Sequence, residues 1–262
     1  MPFAPVNNIE LYYEVHGPKP RDASTVVFAH GAGGNHLSWW QQVPHFMDRY
    51  TCVVFDHRGY GRSTDARDGP GGAMFVDDLR ALLDHLGIER ATLVAQSMGG
   101  WTCLGFALAH AERVERLVMC DTHGGLVSDQ IAPIWRAALR APEGQPREGA
   151  HPAAGVRMRR EQPGLYFLYE EIGALNEERT GAEIMTLLRA AGAPTLAEVS
   201  ALTMPALFIA GDEDVLIPPA VLDLAAAAIP GARVERVAEA GHSVYFERAQ
   251  QFNAILETFL LG

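Results

Sequence analysis

Thr25–Ala29 (TVVFA), Thr51–Phe55 (TCVVF) and Ala91–Ala95 (ATLVA) are short, unbroken apolar runs rich in β-branched residues. A strand that is apolar at every position, instead of alternating, suits burial on both faces, the condition of a parallel strand between two layers of helices. Val114–Cys120 (VERLVMC), Ala206–Ala210 (ALFIA) and Arg233–Val237 (RVERV) also read as strands. Helical patterns lie between these runs. Val76, Leu79, Leu83 and Leu86 recur at helical spacing, and Gly87 stands where such a helix would end. Met98–His110 and Pro219–Ile229 read as helices, and Phe252, Ile255, Leu256, Phe259 and Leu260 share one face of a last one. Ile9–Val15 alternates and reads as an antiparallel strand. Repeated strand–helix alternation predicts an α/β fold with a mostly parallel, doubly wound sheet.

From about Gly124 to Ser200 the strand-like runs vanish. The segment reads as helices broken by Pro and Gly, with Ala141–Pro152 (APEGQPREGAHP) a loop by composition. The chain of 262 residues is therefore expected to form a core from residues 1–123 and 201–262, and a helical cap from residues 124–200. An insertion that begins at the C-terminal end of a strand starts where open α/β sheets bind their ligands.

Composition narrows the partners. The formal net charge of −11 disfavours nucleic acid, which demands a basic face, and an anionic membrane surface. Cys52, Cys103 and Cys120 show no CxxC spacing and fit reduced core thiols. The N-terminus MPFAPVNNIELYYEV lacks a basic, then apolar, leader pattern, and the longest apolar stretch, near Leu224–Ile229, is far short of a membrane span. A soluble, cytoplasmic protein acting on a small molecule is expected. No HExxH and no Cys/His cluster points to a metal, and no cofactor is expected.

Chemistry-bearing residues gather at strand ends. Ala95-Gln96-Ser97-Met98-Gly99-Gly100 follows one strand and opens a helix, so Ser97 would sit on a tight turn that exposes its hydroxyl. A serine is a weak nucleophile until a base takes its proton and an acid orients that base. The acid has candidates in Gly211-Asp212-Glu213-Asp214-Val215, after ALFIA, and the base in Ala240-Gly241-His242-Ser243, after the last strand. The order Ser, Asp, His is the one this architecture uses. His30-Gly31-Ala32-Gly33-Gly34, after TVVFA, can aim backbone N–H groups at a developing oxyanion. A dinucleotide-binding GxGxxG reading of that loop fails because position 36 is His36.

Together HGAGG, Asp56-His57-Arg58-Gly59-Tyr60-Gly61-Arg62-Ser63, AQSMGG, GDEDVLIPP and AGHS resemble the motif set of the α/β-hydrolase fold superfamily, over roughly Ile9 to Leu261. Within it, carboxylesterases and 3-oxoadipate enol-lactonase-like proteins are the nearest likeness. Ala95 departs from the usual glycine of G-x-S-x-G. The resemblance implies a serine hydrolase with Ser97 as nucleophile, His242 as base and Asp214 as acid, Asp121 after VMC being the alternative acid. It implies an oxyanion hole from the amides of Ala32 and Met98, and a structural role for Asp56 and Ser63. Gly33, Trp101, His123, Trp135, Tyr166 and Val215 are candidates for substrate contact. A small carboxylic ester or lactone is the expected substrate. Carbon–carbon bond hydrolysis and cofactor-free haloperoxidase-like chemistry use the same residues, and a non-catalytic small-ligand receptor is the rival of another class. Ser97 argues against haloalkane dehalogenases, whose family places Asp there.

Overall fold

The computed structural model describes residues 2–65, 69–140 and 151–262. Its sheet has eight strands: β1 (Phe3–Val6), β2 (Ile9–His16), β3 (Thr25–Ala29), β4 (Thr51–Phe55), β5 (Ala91–Gln96), β6 (Val114–Cys120), β7 (Ala206–Gly211) and β8 (Arg233–Val237). They lie in the order β1-β2-β4-β3-β5-β6-β7-β8. β3 to β8 pair in parallel, and β1 and β2 are antiparallel at one edge. The α/β class and doubly wound sheet expected from the sequence are what the chain forms.

Strands β3, β4, β5 and β7 are buried at every position, which is why their sequences do not alternate. One face of the sheet packs on α2 (Phe75–His85), α3 (Gly99–Ala109) and α9 (Pro219–Ala227) around Leu79, Leu83, Phe106 and Val221. The other face packs on the short α1 (Val43–Phe46) and the C-terminal helix Ala249–Leu261 around Phe28, Trp39, Phe252 and Leu256.

Strand β1 was not legible in the sequence. It is four residues long and contains Pro5, which only an edge strand tolerates. The two-residue turn that joins it to β2 is Asn7-Asn8, both in the left-handed region, which suits a tight hairpin.

Between β6 and β7 the described residues form helices only: α4 (Ile131–Arg140), α5 (Gly155–Glu161), α6 (Pro163–Gly173), α7 (Gly181–Ala190) and α8 (Leu196–Val199). Positions 141–150 of the expected Ala141–Pro152 loop lie outside the described residues. The α5–α6 region reaches the loops that follow four strands. Asn35 donates to the Ile172 carbonyl at 2.9 Å, and Arg179 to that of Gly59 at 2.9 Å. Arg157 pairs with Glu213, and the Ser243 hydroxyl donates to the Ala153 carbonyl at 2.7 Å.

Helix α6 carries Tyr166, Phe167 and Tyr169. Residues three apart share a face, so Tyr166 and Tyr169 turn inward together. Phe167 turns out instead, 62% exposed. No helix among the described residues is long and apolar enough to cross a membrane.

Candidate active site

The end of β5 sets the site. Ser97 follows Gln96, and its backbone is in the left-handed region at φ 48°, where a residue with a Cβ is strained. The turn holds because the Ser97 amide donates to the Cys120 carbonyl at 3.1 Å and its carbonyl accepts from Gly100 at 2.8 Å. Glycine is required at position 99, where a Cβ would run into the Ala29 carbonyl. Strand β3 and helix α3 therefore touch through backbone, and Ser97 stands above the strand ends.

His242 meets Ser97 from the loop after β8. Its Nε2 lies 2.9 Å from the serine Oγ and accepts that proton, while its Nδ1 donates to Asp214 Oδ2 at 2.8 Å. The other Asp214 oxygen accepts from the amides of Leu216 and Ile217 at 2.8 and 2.9 Å, which fixes the carboxylate plane. Histidine and aspartate are both buried, whereas Ser97 keeps part of its surface accessible.

Asp121 does not face the imidazole in this way. It too is in the left-handed region, at φ 50°, and is fully buried. One oxygen accepts from Gly211, at the base of the Asp214 loop, at 3.0 Å. The other accepts from Val244, just past His242, at 3.1 Å, and from the Cys120 thiol at 3.1 Å. Asp121 therefore ties the loop of Asp214 to the loop of His242. Burial, with Asp214 nearby, pushes its carboxyl up to about 7. Burial also pulls the His242 imidazole down, but Asp214, then Asp121 and Glu247, more than offset this and leave it above its ordinary value.

The glycine-rich loop runs against Ser97, where a Cβ on Gly31 would lie 3.1 Å from that of Ser97. Among the described residues neither the Ala32 nor the Met98 amide has an acceptor. Two unpaired N–H groups flanking a serine are what a developing oxyanion needs. Beneath the loop, His30 donates from Nδ1 to the Gly31 carbonyl at 2.8 Å and accepts at Nε2 from the His57 amide at 2.9 Å. Burial drives His30 down to about 4, so it is neutral and serves as a strut. Asp56 accepts from the His36 amide and ring at 2.6 and 2.8 Å, and Ser63 donates to the Asp56 carbonyl at 2.7 Å. Both work as braces between loops.

The candidate substrate contacts divide. Trp101, His123 and Trp135 stack edge-to-face or tilted, with His123 to Trp135 centroids at 4.4 Å and Trp101 to His123 at 5.1 Å. Trp101 and Trp135 join an apolar cluster with Met98 and Ala32, beside the elbow. His123 is fully buried, and neither ring nitrogen has a partner among the described residues. Burial holds it down to about 4, in its neutral form. Gly33 is exposed and Val215 half-buried next to Asp214. Tyr166 is buried beneath the helical segment, its hydroxyl accepting from the His151 amide at 3.0 Å. Tyr169 is nearer the site, with its hydroxyl 3.3 Å from the Ser243 hydroxyl. Among the described residues no group of three His, Cys, Asp or Glu side chains is arranged to hold a metal ion.

This arrangement is the kind that activates a serine hydroxyl for attack on a carbonyl. The sequence model of the alpha/beta hydrolase fold matches residues 24–249. The chain belongs to the α/β-hydrolase fold family. RutD of Caulobacter sp. (strain K31), a candidate carbamate hydrolase, is 29% identical to this α/β-hydrolase, the match covering 96% of each chain. The enol-lactonase from Burkholderia xenovorans LB400 superposes with a TM-score of 0.80 at 27% identity, over 100% of both chains. Est816, described as an N-acyl homoserine lactone degrading enzyme, superposes with a TM-score of 0.75 at 25% identity, over 97% of this α/β-hydrolase and 98% of its own chain.

Residues missed in the sequence are those whose work is backbone support. Gln96 donates to the His242 carbonyl at 2.9 Å. Asn176 donates to the Gly34 carbonyl at 3.2 Å and accepts from the Gly61 amide at 2.8 Å, so it fastens the glycine-rich loop to the loop after β4. Glu247 accepts from the amides on both sides of His242. The one signal for Glu247 was a lone carboxylate after the apolar triplet Val244-Tyr245-Phe246.

Proposed function

We propose that this α/β-hydrolase cleaves small carboxylic esters or lactones through Ser97, His242 and Asp214. The observation that carries the reading is the unbroken relay from Ser97 Oγ through His242 to Asp214, at 2.9 and 2.8 Å. His242 takes the serine proton as Oγ attacks the carbonyl. Asp214 keeps the imidazole in the tautomer that accepts at Nε2, and stabilises its charged form. The tetrahedral oxyanion is received by the amides of Ala32 and Met98. His242 then protonates the departing alcohol, leaving an acyl-enzyme, and afterwards activates the water that hydrolyses it. The carbamate, enol-lactone and homoserine lactone named for the relatives each present a carbonyl joined to a heteroatom, in agreement with this chemistry.

A fluorophosphonate probe and an ester and lactone panel test the reading. Labelling at Ser97 together with turnover is expected. Neither labelling nor turnover would leave the small-ligand receptor as the better account.

Turnover is expected to depend on pH through His242, which must be neutral to accept the proton. Because its carboxylate neighbours hold it above its ordinary 6.5, activity should be fully present at alkaline pH and lost as pH falls through a midpoint above 6.5. A kcat/KM profile with its acid midpoint well below 6.5 would contradict the assignment.

Residues 124–200 act, in this reading, as a cap that sets which acyl groups fit. Tyr169, beside Ser243, is expected to touch substrate, whereas the outward Phe167 is not. Tyr169→Ala should reorder a series of p-nitrophenyl esters by acyl length, with changes in kcat/KM of about tenfold, the size expected when a methylene or two of pocket wall is altered. Phe167→Ala should preserve the order. An unchanged order in Tyr169→Ala would remove that residue from the pocket wall.

A further inference from the structure

Gly241–Ser243 carries His242 without belonging to any strand or helix. Its main-chain groups are held by buried side chains instead. Glu247 accepts from the Gly241 amide at 3.0 Å with one oxygen and from the Ser243 amide at 3.2 Å with the other. Gln96 donates to the His242 carbonyl at 2.9 Å, and Asp121 accepts from Val244 at 3.1 Å. Glu247 is 4% exposed, and among the described residues no cation pairs with its carboxylate. A buried carboxylate without a cation is costly unless its hydrogen bonds compensate. A neutral side chain would avoid that cost.

We propose that Glu247 is a positioning residue for the reaction, gripping the amides of the residues on either side of His242 and setting a negative charge near the imidazolium that forms when Ser97 gives up its proton. The proposal rests on the Ser97–His242–Asp214 reading. The grip restrains the direction of the histidine side chain, since one carboxylate holds the peptide that follows the His242 Cα and the peptide that leads into Gly241. The charge favours the imidazolium of the attacking step. The groups that face His242 are Asp214 on the loop after β7, Asp121 on the loop after β6, Glu247 at the end of the short helix Val244–Glu247 that follows its own loop, Ser97 at the elbow and His151 from the helical segment. Three of these five are carboxylates, so Glu247 adds to a field that Asp214 begins. Burial pushes the Glu247 carboxyl up to about 7, and its two N–H donors favour the anion above that pH.

Two substitutions separate grip from charge. Glu247→Gln keeps the length, removes the charge and leaves one oxygen for two amides. Glu247→Asp keeps the charge and shortens the reach. Both are measured with wild type for kcat and KM on p-nitrophenyl acetate, thermal midpoint, and the pH dependence of fluorophosphonate labelling at Ser97. Glu247→Gln is expected to lower kcat by on the order of tenfold with KM within about twofold of wild type. It should also move the acid midpoint of labelling to lower pH, because the imidazolium loses a stabilising charge. Glu247→Asp is expected to lower kcat while the acid midpoint stays near that of wild type. A folded Glu247→Gln protein with wild-type kcat and an unmoved midpoint overturns the proposal, as does a kcat loss without any midpoint shift. If Glu247→Gln does not fold, Glu247→Asp decides: reduced kcat with a wild-type midpoint supports the grip, and wild-type kcat overturns it. Wild-type protein that does not label at all would overturn the Ser97 reading instead, a separate result.

Discussion

Ser97→Ala is expected to lower ester turnover by about 10⁴-fold or more, the loss that follows removal of a nucleophile in a relay of this kind. Fluorophosphonate labelling should vanish with it. The fold should survive. The Ser97 side chain has His242 as its hydrogen-bond partner, while the turn is held by the Ser97 amide on Cys120 and its carbonyl under Gly100, and both remain in alanine. The thermal midpoint is therefore expected near that of wild type. Near-normal turnover of p-nitrophenyl acetate in a well-folded Ser97→Ala protein would show that another group attacks the carbonyl.

Asp214→Asn should come next in effect, with kcat lowered by on the order of 10³–10⁴-fold. The argument is one of donors and acceptors. Asparagine can still accept from the Leu216 and Ile217 amides with its oxygen, as Asp214 Oδ1 does at 2.8 and 2.9 Å. That leaves its NH₂ facing His242 Nδ1, where the carboxylate now accepts. The imidazole must then carry its proton on Nε2, which can no longer take one from Ser97. Asp121→Asn provides the comparison. It weakens a tie between two loops, and its expected effect on turnover is about tenfold or less, alongside about 1–3 kcal/mol of lost stability from one unsatisfied buried amide. Steady-state kinetics on the two variants distinguish the roles. A larger kcat loss in Asp121→Asn than in Asp214→Asn would make Asp121 the acid.

How far the sequence could be read depended on whether a feature is local. The central parallel strands are buried on both faces, so Thr25–Ala29 and Thr51–Phe55 announce themselves as unbroken apolar runs. Ser97 and Asp214 each follow such a run within a few residues, His242 follows the charged edge strand Arg233–Val237, and a shared strand direction brings the three to one edge. Which aspartate meets the imidazole is different in kind. Asp121 and Asp214 both stand just past strand ends, and only the three-dimensional paths of two loops decide that one carboxylate accepts from the ring while the other accepts from the loops' amides. Gln96 and Asn176 were illegible for the same reason, since their partners lie 146 and 115 or more residues away. Helix α6 was ambiguous because Leu165, Tyr166, Phe167, Leu168 and Tyr169 form an apolar run around the whole helix, and no stripe reveals that Phe167 faces outward.

The left-handed backbone at Ser97 carries a further consequence, for how this chain can change over generations. A glycine there would relax the turn, since it adopts φ 48° without steric cost, so the position favours a residue without the hydroxyl. Stability and reactivity thus pull in opposite directions at a single codon. The buried strands β3, β5 and β6 around the elbow supply the rigidity that tolerates the strain. Mutations that loosen those strands would narrow the margin on which the reactive conformation depends, and mutations that tighten them would widen the range of loops and helical insertions the same elbow can serve.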